Sequence, residues 1–220
     1  MARDGHTFSA YLVSPDGRAR GAVVILQEIF GLTSHIRSVA DSCAADGYLT
    51  IAPALFDRIR RDIVLGYSQP EIERAMGYRL QIPIEKALLD IAAAAAVVRH
   101  VGRVAVIGFC WGGTLAWVAA SSVKLSAAVC YYAARIAENT ARTPLCPTLL
   151  HFGEKDPSIP LSEVEQLRET YPQGEYHLYP AAHAFANQDR PDRYSAEAAA
   201  LARTRTNAFL AQHVGKQTAS

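Results

Sequence analysis

The chain has 220 residues, 50% of them apolar and 20% charged, with a formal net charge of +1. A chain of this size and balance buries one core without disulfide or metal staples, so a single domain spanning residues 1–220 is expected. The near-zero charge excludes the basic footprint of a nucleic-acid or anionic-membrane binder, and no apolar run is long enough to span a bilayer.

In chain order, residues 7–13 alternate as a short strand and end in the turn Ser14-Pro15-Asp16-Gly17. Ala22–Leu26 is a fully apolar strand, and Ser34 caps a helix running to about Asp46, where Gly47 stops it. Tyr48–Ala52 predicts the next strand. Residues 70–82 and 84–100 predict two helices broken at Pro83, the second carrying the run Ala92–Ala96 that suits close approach to a sheet. Strands follow at 103–107, 125–132, 148–152 and 175–179, and helices over 114–120, 161–170 and 195–213. The inner strands are continuous apolar runs, as required when both faces are covered. The alternation predicts a three-layer α/β fold with a mostly parallel central sheet flanked by helices. In such folds ligands bind beyond the carboxyl ends of the strands.

The opening Met1-Ala2-Arg3-Asp4-Gly5-His6 lacks the apolar centre of a signal peptide, so a cytoplasmic location is expected. Four cysteines (Cys43, Cys110, Cys130, Cys146) are few for a disulfide scaffold, and none forms a CxxC pair. No metal is implied, and no Walker or dinucleotide loop points to an organic cofactor, so the expectation is none.

Gly108-Phe109-Cys110-Trp111-Gly112 joins the 103–107 strand to a helix. A bend sharp enough to push one side chain clear of a sheet leaves no room for a Cβ two residues to either side, and that is the reason for the two glycines. The thiol then stands at a helix N-terminus, where the dipole favours thiolate. Asp156 follows the 148–152 strand through Gly153, and His183 follows the 175–179 strand through Pro180-Ala181-Ala182. Cysteine, aspartate and histidine come in the order used by α/β-hydrolases. A free thiol ionises near pH 8.5. An imidazole can take its proton, and a carboxylate can orient that imidazole and stabilise its cation. His6, His35, His100, His151, His177 and His213 carry no such context and are expected to be structural or on the surface. Glu28, directly after the Ala22–Leu26 strand, is costly at a pocket mouth unless paired, and is expected to contact the thiol or a cation. Arg74 and Tyr78 lie four apart on one helix face and could hold a substrate carboxylate; Arg79 is expected to face solvent.

Gln27-Glu28-Ile29-Phe30-Gly31, Gly108-Phe109-Cys110-Trp111-Gly112-Gly113, Gly153-Glu154-Lys155-Asp156 and Ala182-His183-Ala184-Phe185-Ala186 occur in the order and spacing of one family. Over roughly residues 5 to 212 the chain resembles the dienelactone hydrolases (carboxymethylenebutenolidases), cysteine-dependent members of the α/β-hydrolase fold. The resemblance implies Cys110 as nucleophile, Asp156 and His183 completing the triad, and Glu28 helping to activate the thiol. It also implies an oxyanion hole formed by the N–H groups of Ile29 and Trp111, and a substrate carboxylate held by Arg74 and Tyr78. The best-known members carry a second arginine four residues after the histidine, where this chain has Asn187.

The implied reaction opens a dienelactone-like enol-lactone or related activated ester through a thioester, as part of aromatic degradation. The only implied partner is a small-molecule ester or lactone, with no nucleic acid and no membrane, and a monomer or weak homo-oligomer is expected. The rival readings are a general carboxylesterase or thioesterase, a thiol redox protein using Cys110, and a non-catalytic binding protein on the same scaffold.

Overall fold

The computed structural model describes residues 1–215. Seven strands form one sheet in the order β1-β3-β2-β4-β5-β6-β7: β1 (Ala10–Val13), β2 (Ala22–Leu26), β3 (Leu49–Pro53), β4 (Val104–Phe109), β5 (Ala127–Tyr131), β6 (Thr148–Gly153) and β7 (Glu175–Tyr179). β1 runs antiparallel to β3, and every other pair is parallel. Each of β2 to β6 is buried along its whole length, whereas the edge strand β1 alternates between exposed and half-buried residues.

The helices are α1 (Ser34–Ala45), α2 (Gln69–Leu80), α3 (Ile84–Val98), α4 (Trp111–Ala120), α5 (Leu161–Thr170) and α6 (Ala196–His213). Thr33, not Ser34, is the N-cap of α1: its side chain accepts from the Ile36 N–H, while Ser34 turns outward to donate to Asp189 at 2.6 Å. Ser68 and Glu71 form a capping box at the start of α2. Pro83 separates α2 from α3 as expected. α3 buries Ala87, Ile91, Ala94, Ala95 and Val98 on one stripe. α4 is buried on all sides, and its small residues Gly112, Gly113, Ala116, Ala119 and Ala120 let it lie close to β4 and β5.

Chain direction decides where the site falls. From β2 the chain crosses through α1 to β3, while from β4 it crosses through α4 to β5, on the other side in the strand order. Right-handed crossovers then put α1 on one face of the sheet and α3, α4 and α5 on the other. Between β2 and β4 the order reverses, so a crevice opens at their carboxyl ends. Gln27-Glu28 leaves β2 there and Cys110 leaves β4 there. Leu26 and Gly108 are paired across the two strands, which sets those exits side by side.

Candidate active site

Cys110 is the N-cap of α4 with φ 54° and ψ −117°. A non-glycine residue holds this left-handed conformation only where its surroundings impose it. A side chain at Gly108 would overlap the Gly112 carbonyl, and one at Gly112 would stand 2.5 Å from the carbonyl oxygens of Leu26 and Gln27. The Cys110 N–H donates to Tyr131 O at 3.0 Å, clamping the bend to β5. Trp111 opens α4, and the first N–H groups of a helix have no intrahelical acceptor.

Asp156 and His183 stand on the loops after β6 and β7. These loops are tied together by Glu154 N–H to Tyr179 O at 2.8 Å and Lys155 N–H to Ala181 O at 3.0 Å. His183 Nδ1 and Asp156 Oδ2 are 2.6 Å apart, with the Asp156 side chain fully buried. Asp156 Oδ1 accepts from the Ser158 N–H at 2.8 Å, which fixes the carboxylate plane. The aspartate holds Nδ1, which leaves Nε2 free on the side of the cavity that His183 and Cys110 both line. Burial pulls the His183 imidazole down. The charge of the Cys110 sulfur and the Asp156 carboxylate together outweigh it and raise the ring from 6.5 to about 10. An imidazole held this way can carry a proton next to a sulfur anion and pass it on.

Glu28 is only 2% exposed. Its Oε2 accepts from Asn187 Nδ2 at 2.7 Å, and the same amide donates to the Tyr67 hydroxyl at 3.1 Å. Asn187 Oδ1 accepts from the Asp189 N–H at 3.0 Å, so the amide cannot flip. The partner found for Glu28 is therefore a neutral amide on the His183 loop.

Glu28, Ile29, Cys110, Trp111 and His183 line one cavity of about 360 Å³. Phe30, Ile72, Met76 and Ala184 add apolar wall, and Arg79, Arg135 and Arg190 bring three guanidinium groups. Helix α2 thus presents Ile72, Met76 and Arg79, spaced four and three apart. Arg74 and Tyr78 are not among the lining residues. Arg74 is exposed, and the half-buried Tyr78 ring packs edge-on against Phe56 at 5.9 Å. The two share a face as their spacing requires, but that face is turned away from the cavity. Arg79, expected in solvent, lines it instead. Arg190 stacks over the Tyr67 ring at 5.3 Å and pairs with Asp192 at 3.0 Å. Sequence reasoning singled out neither Tyr67 nor Tyr132. Tyr132 lies against the His183 ring at 5.1 Å and reads in sequence as the last aromatic of a core strand.

The other thiols are buried and held protonated. Burial pushes Cys43 up to about 12 and Cys146 up to about 11, and it raises Cys130 further still. Buried His151 is engaged at both nitrogens, by Tyr179 at 2.8 Å and Thr206 at 3.0 Å. No group of three or more His, Cys, Asp or Glu side chains that could hold a metal ion occurs among the described residues. None of the described helices is long and apolar enough to cross a membrane.

The strand order, its reversal between β2 and β4, and the strand–Gly-x-Cys-x-Gly–helix bend at that reversal define the α/β-hydrolase class. The sequence profile of the Dienelactone hydrolase family matches residues 8–214. The chain is 33% identical to the carboxymethylenebutenolidase of Pseudomonas putida over 94% of this chain and 92% of that one. It is 30% identical to carboxymethylenebutenolidase 1 of Cupriavidus pinatubonensis over 96% and 94%. A Klebsiella pneumoniae crystal structure assigned to dienelactone hydrolase superposes with a TM-score of 0.81 at 31% identity, covering 94% of each chain. The chain belongs to the dienelactone hydrolase family and is a hydrolase of ester or lactone bonds.

Proposed function

We propose that the chain opens an enol-lactone or related activated ester by a Cys110 nucleophile, through a thioester on that sulfur. The observation that carries this reading is the 2.6 Å contact of His183 Nδ1 with Asp156, which leaves Nε2 to the Cys110 thiol at the mouth of the same cavity. The Cys110 thiolate attacks the carbonyl carbon. The oxyanion forms against the N–H groups of Ile29 and Trp111, each such donor contributing about 3 kcal/mol in comparable sites. Collapse breaks the carbonyl–oxygen bond, and the His183 imidazolium gives its proton to the departing enolate oxygen. The neutral imidazole then takes a proton from water, hydroxide attacks the thioester, and the acid leaves as the thiolate re-forms. Enolate departure is assisted by delocalisation, so activated lactones and enol esters suit a sulfur nucleophile better than amides.

Arg79, Arg135 and Arg190 around the cavity support a substrate carrying a carboxylate. The apolar wall of Phe30, Ile72 and Met76 favours a second reading, a broader carboxylesterase or thioesterase. The setting that goes with the first reading is aromatic degradation in the cytoplasm.

The test is turnover of a panel of enol-lactones, aryl esters and acyl thioesters by the wild type and by Cys110→Ala. Loss of every activity in a folded variant, with the lactones fastest in the wild type, is expected. Hydrolysis unchanged in Cys110→Ala rejects the nucleophile. A rate order led by thioesters replaces the first reading with the second.

A further inference from the structure

A second cavity, of about 210 Å³, lies between α1 and α6 and shares no lining residue with the catalytic one. Ile107, Phe109 and Tyr131 of the central strands form its floor, and His35, Cys43 and Thr206 its inner walls, all of them buried. Gln188, Tyr194, Ala200 and Arg203 at the mouth are exposed, so the cavity opens to solvent. The floor is aromatic: the Phe109 and Tyr131 rings stack at 4.7 Å and 24°, and His35 meets Phe109 edge-on at 5.4 Å and 80°. Most of the polar wall groups are already bonded to one another. Arg203 donates to Ser42 Oγ at 3.0 Å and to Asp46 Oδ2 at 3.2 Å, and Asn207 donates to the same Asp46 oxygen at 3.0 Å. The Tyr131 hydroxyl and Thr206 Oγ1 are 2.7 Å apart. The exception is His35, which is 2% exposed and whose Nε2 has no hydrogen-bond partner. Burial pulls its imidazole below the ordinary value, so the ring is neutral.

The geometry points to a second ligand site in this cavity, for a neutral single-ring aromatic molecule that carries a hydroxyl. Size sets the ring count: an engineered apolar cavity of about 150 Å³ holds benzene, so this one takes a ring with a small substituent. Charge sets the neutrality. Arg203 and Asp46, the two oppositely charged lining residues, pair with each other. A charged ligand would give up its hydration in an aromatic pit and find no free counter-ion there. A neutral ring packs on the Phe109–Tyr131 stack, and its hydroxyl supplies the polar partner that His35 lacks. The site lies behind the catalytic one: Phe109 precedes Cys110, and Ala186, another lining residue, precedes Asn187.

The experiment is calorimetric titration of the full chain with phenol and, separately, with benzoate, for wild type, Ala199→Phe and Val39→Phe. The two substitutions fill the cavity from α6 and from α1, both at half-buried lining positions. Thermal melts establish that each variant is folded, and either one suffices if the other is not. Wild type should bind phenol with a Kd on the order of 0.1–1 mM. Each filled variant should bind it about ten-fold more weakly or worse, and benzoate should bind wild type about ten-fold more weakly than phenol does. Crystals soaked in 4-bromophenol should show the bromine anomalous signal between α1 and α6. No phenol binding up to about 10 mM, benzoate bound as well as phenol, binding that survives the filling, or a bromine signal confined to the catalytic cavity overturns the inference.

Discussion

Asn187 Nδ2 lies 2.7 Å from Glu28 Oε2, joining the loop that carries His183 to the loop that leaves β2. The amide is itself fixed by the Asp189 N–H, so this contact sets the orientation of the Glu28 carboxylate. A buried carboxylate needs donors, and here it receives one from a neutral group where the best-known relatives carry arginine.

Removing that donor leaves Glu28 buried with less to satisfy it. Asn187→Ala should lower stability by about 1–3 kcal/mol, read as a lower urea midpoint at an unchanged slope. An unchanged midpoint would show that water replaces the amide without loss.

The pH dependence follows from His183. Its ring is raised from 6.5 to about 10, so the cation is present through neutral pH and is lost only as pH rises through about 10. In the proposed mechanism acylation uses the imidazolium beside the thiolate, so kcat/KM should stay level through neutral pH and fall near pH 10. Asp156→Asn removes one of the groups that raise the ring. That variant should bring the alkaline fall to lower pH and reduce kcat/KM by about 100-fold or more. A pH profile that does not move in Asp156→Asn would disconnect the carboxylate from the imidazole.

The two arginines of α2 make a paired test. Arg79 lines the cavity and Arg74 is exposed on another face. Arg79→Ala should raise KM for a carboxylate-bearing ester about ten-fold and leave a neutral ester of the same shape little changed. Arg74→Ala should alter neither. The reverse result would restore the carboxylate-holding role that spacing and resemblance gave to Arg74.

The buried strands were readable because each is a mostly apolar run, broken only by Thr50 in β3 and by Thr148 and His151 in β6, and the cysteine bend because its glycines have a steric reason. Chain order alone placed Glu28, Cys110, Asp156 and His183 at strand ends, and a parallel sheet gathers strand ends on one side. The facing of α2 was not readable. Its only buried residue is Ala75, so the sequence carries no strong apolar stripe to orient it. Spacing establishes that Arg74 and Tyr78 share a face but not which way that face turns. Asn187 and Tyr132 were illegible for another reason. The partner of Asn187 lies 159 residues away in the chain, and the His183 ring against which Tyr132 packs comes from a different strand's loop.

The most direct test of the central claim is intact-protein mass spectrometry of enzyme quenched in acid during turnover of an activated ester, followed by peptide mapping. A thioester adduct is expected, equal in mass to the acyl group and located on Cys110, and it should accumulate in His183→Gln if water activation fails more than acylation does. An acyl group mapped to any other residue, or turnover in which the Cys110 peptide never carries one, would contradict the account.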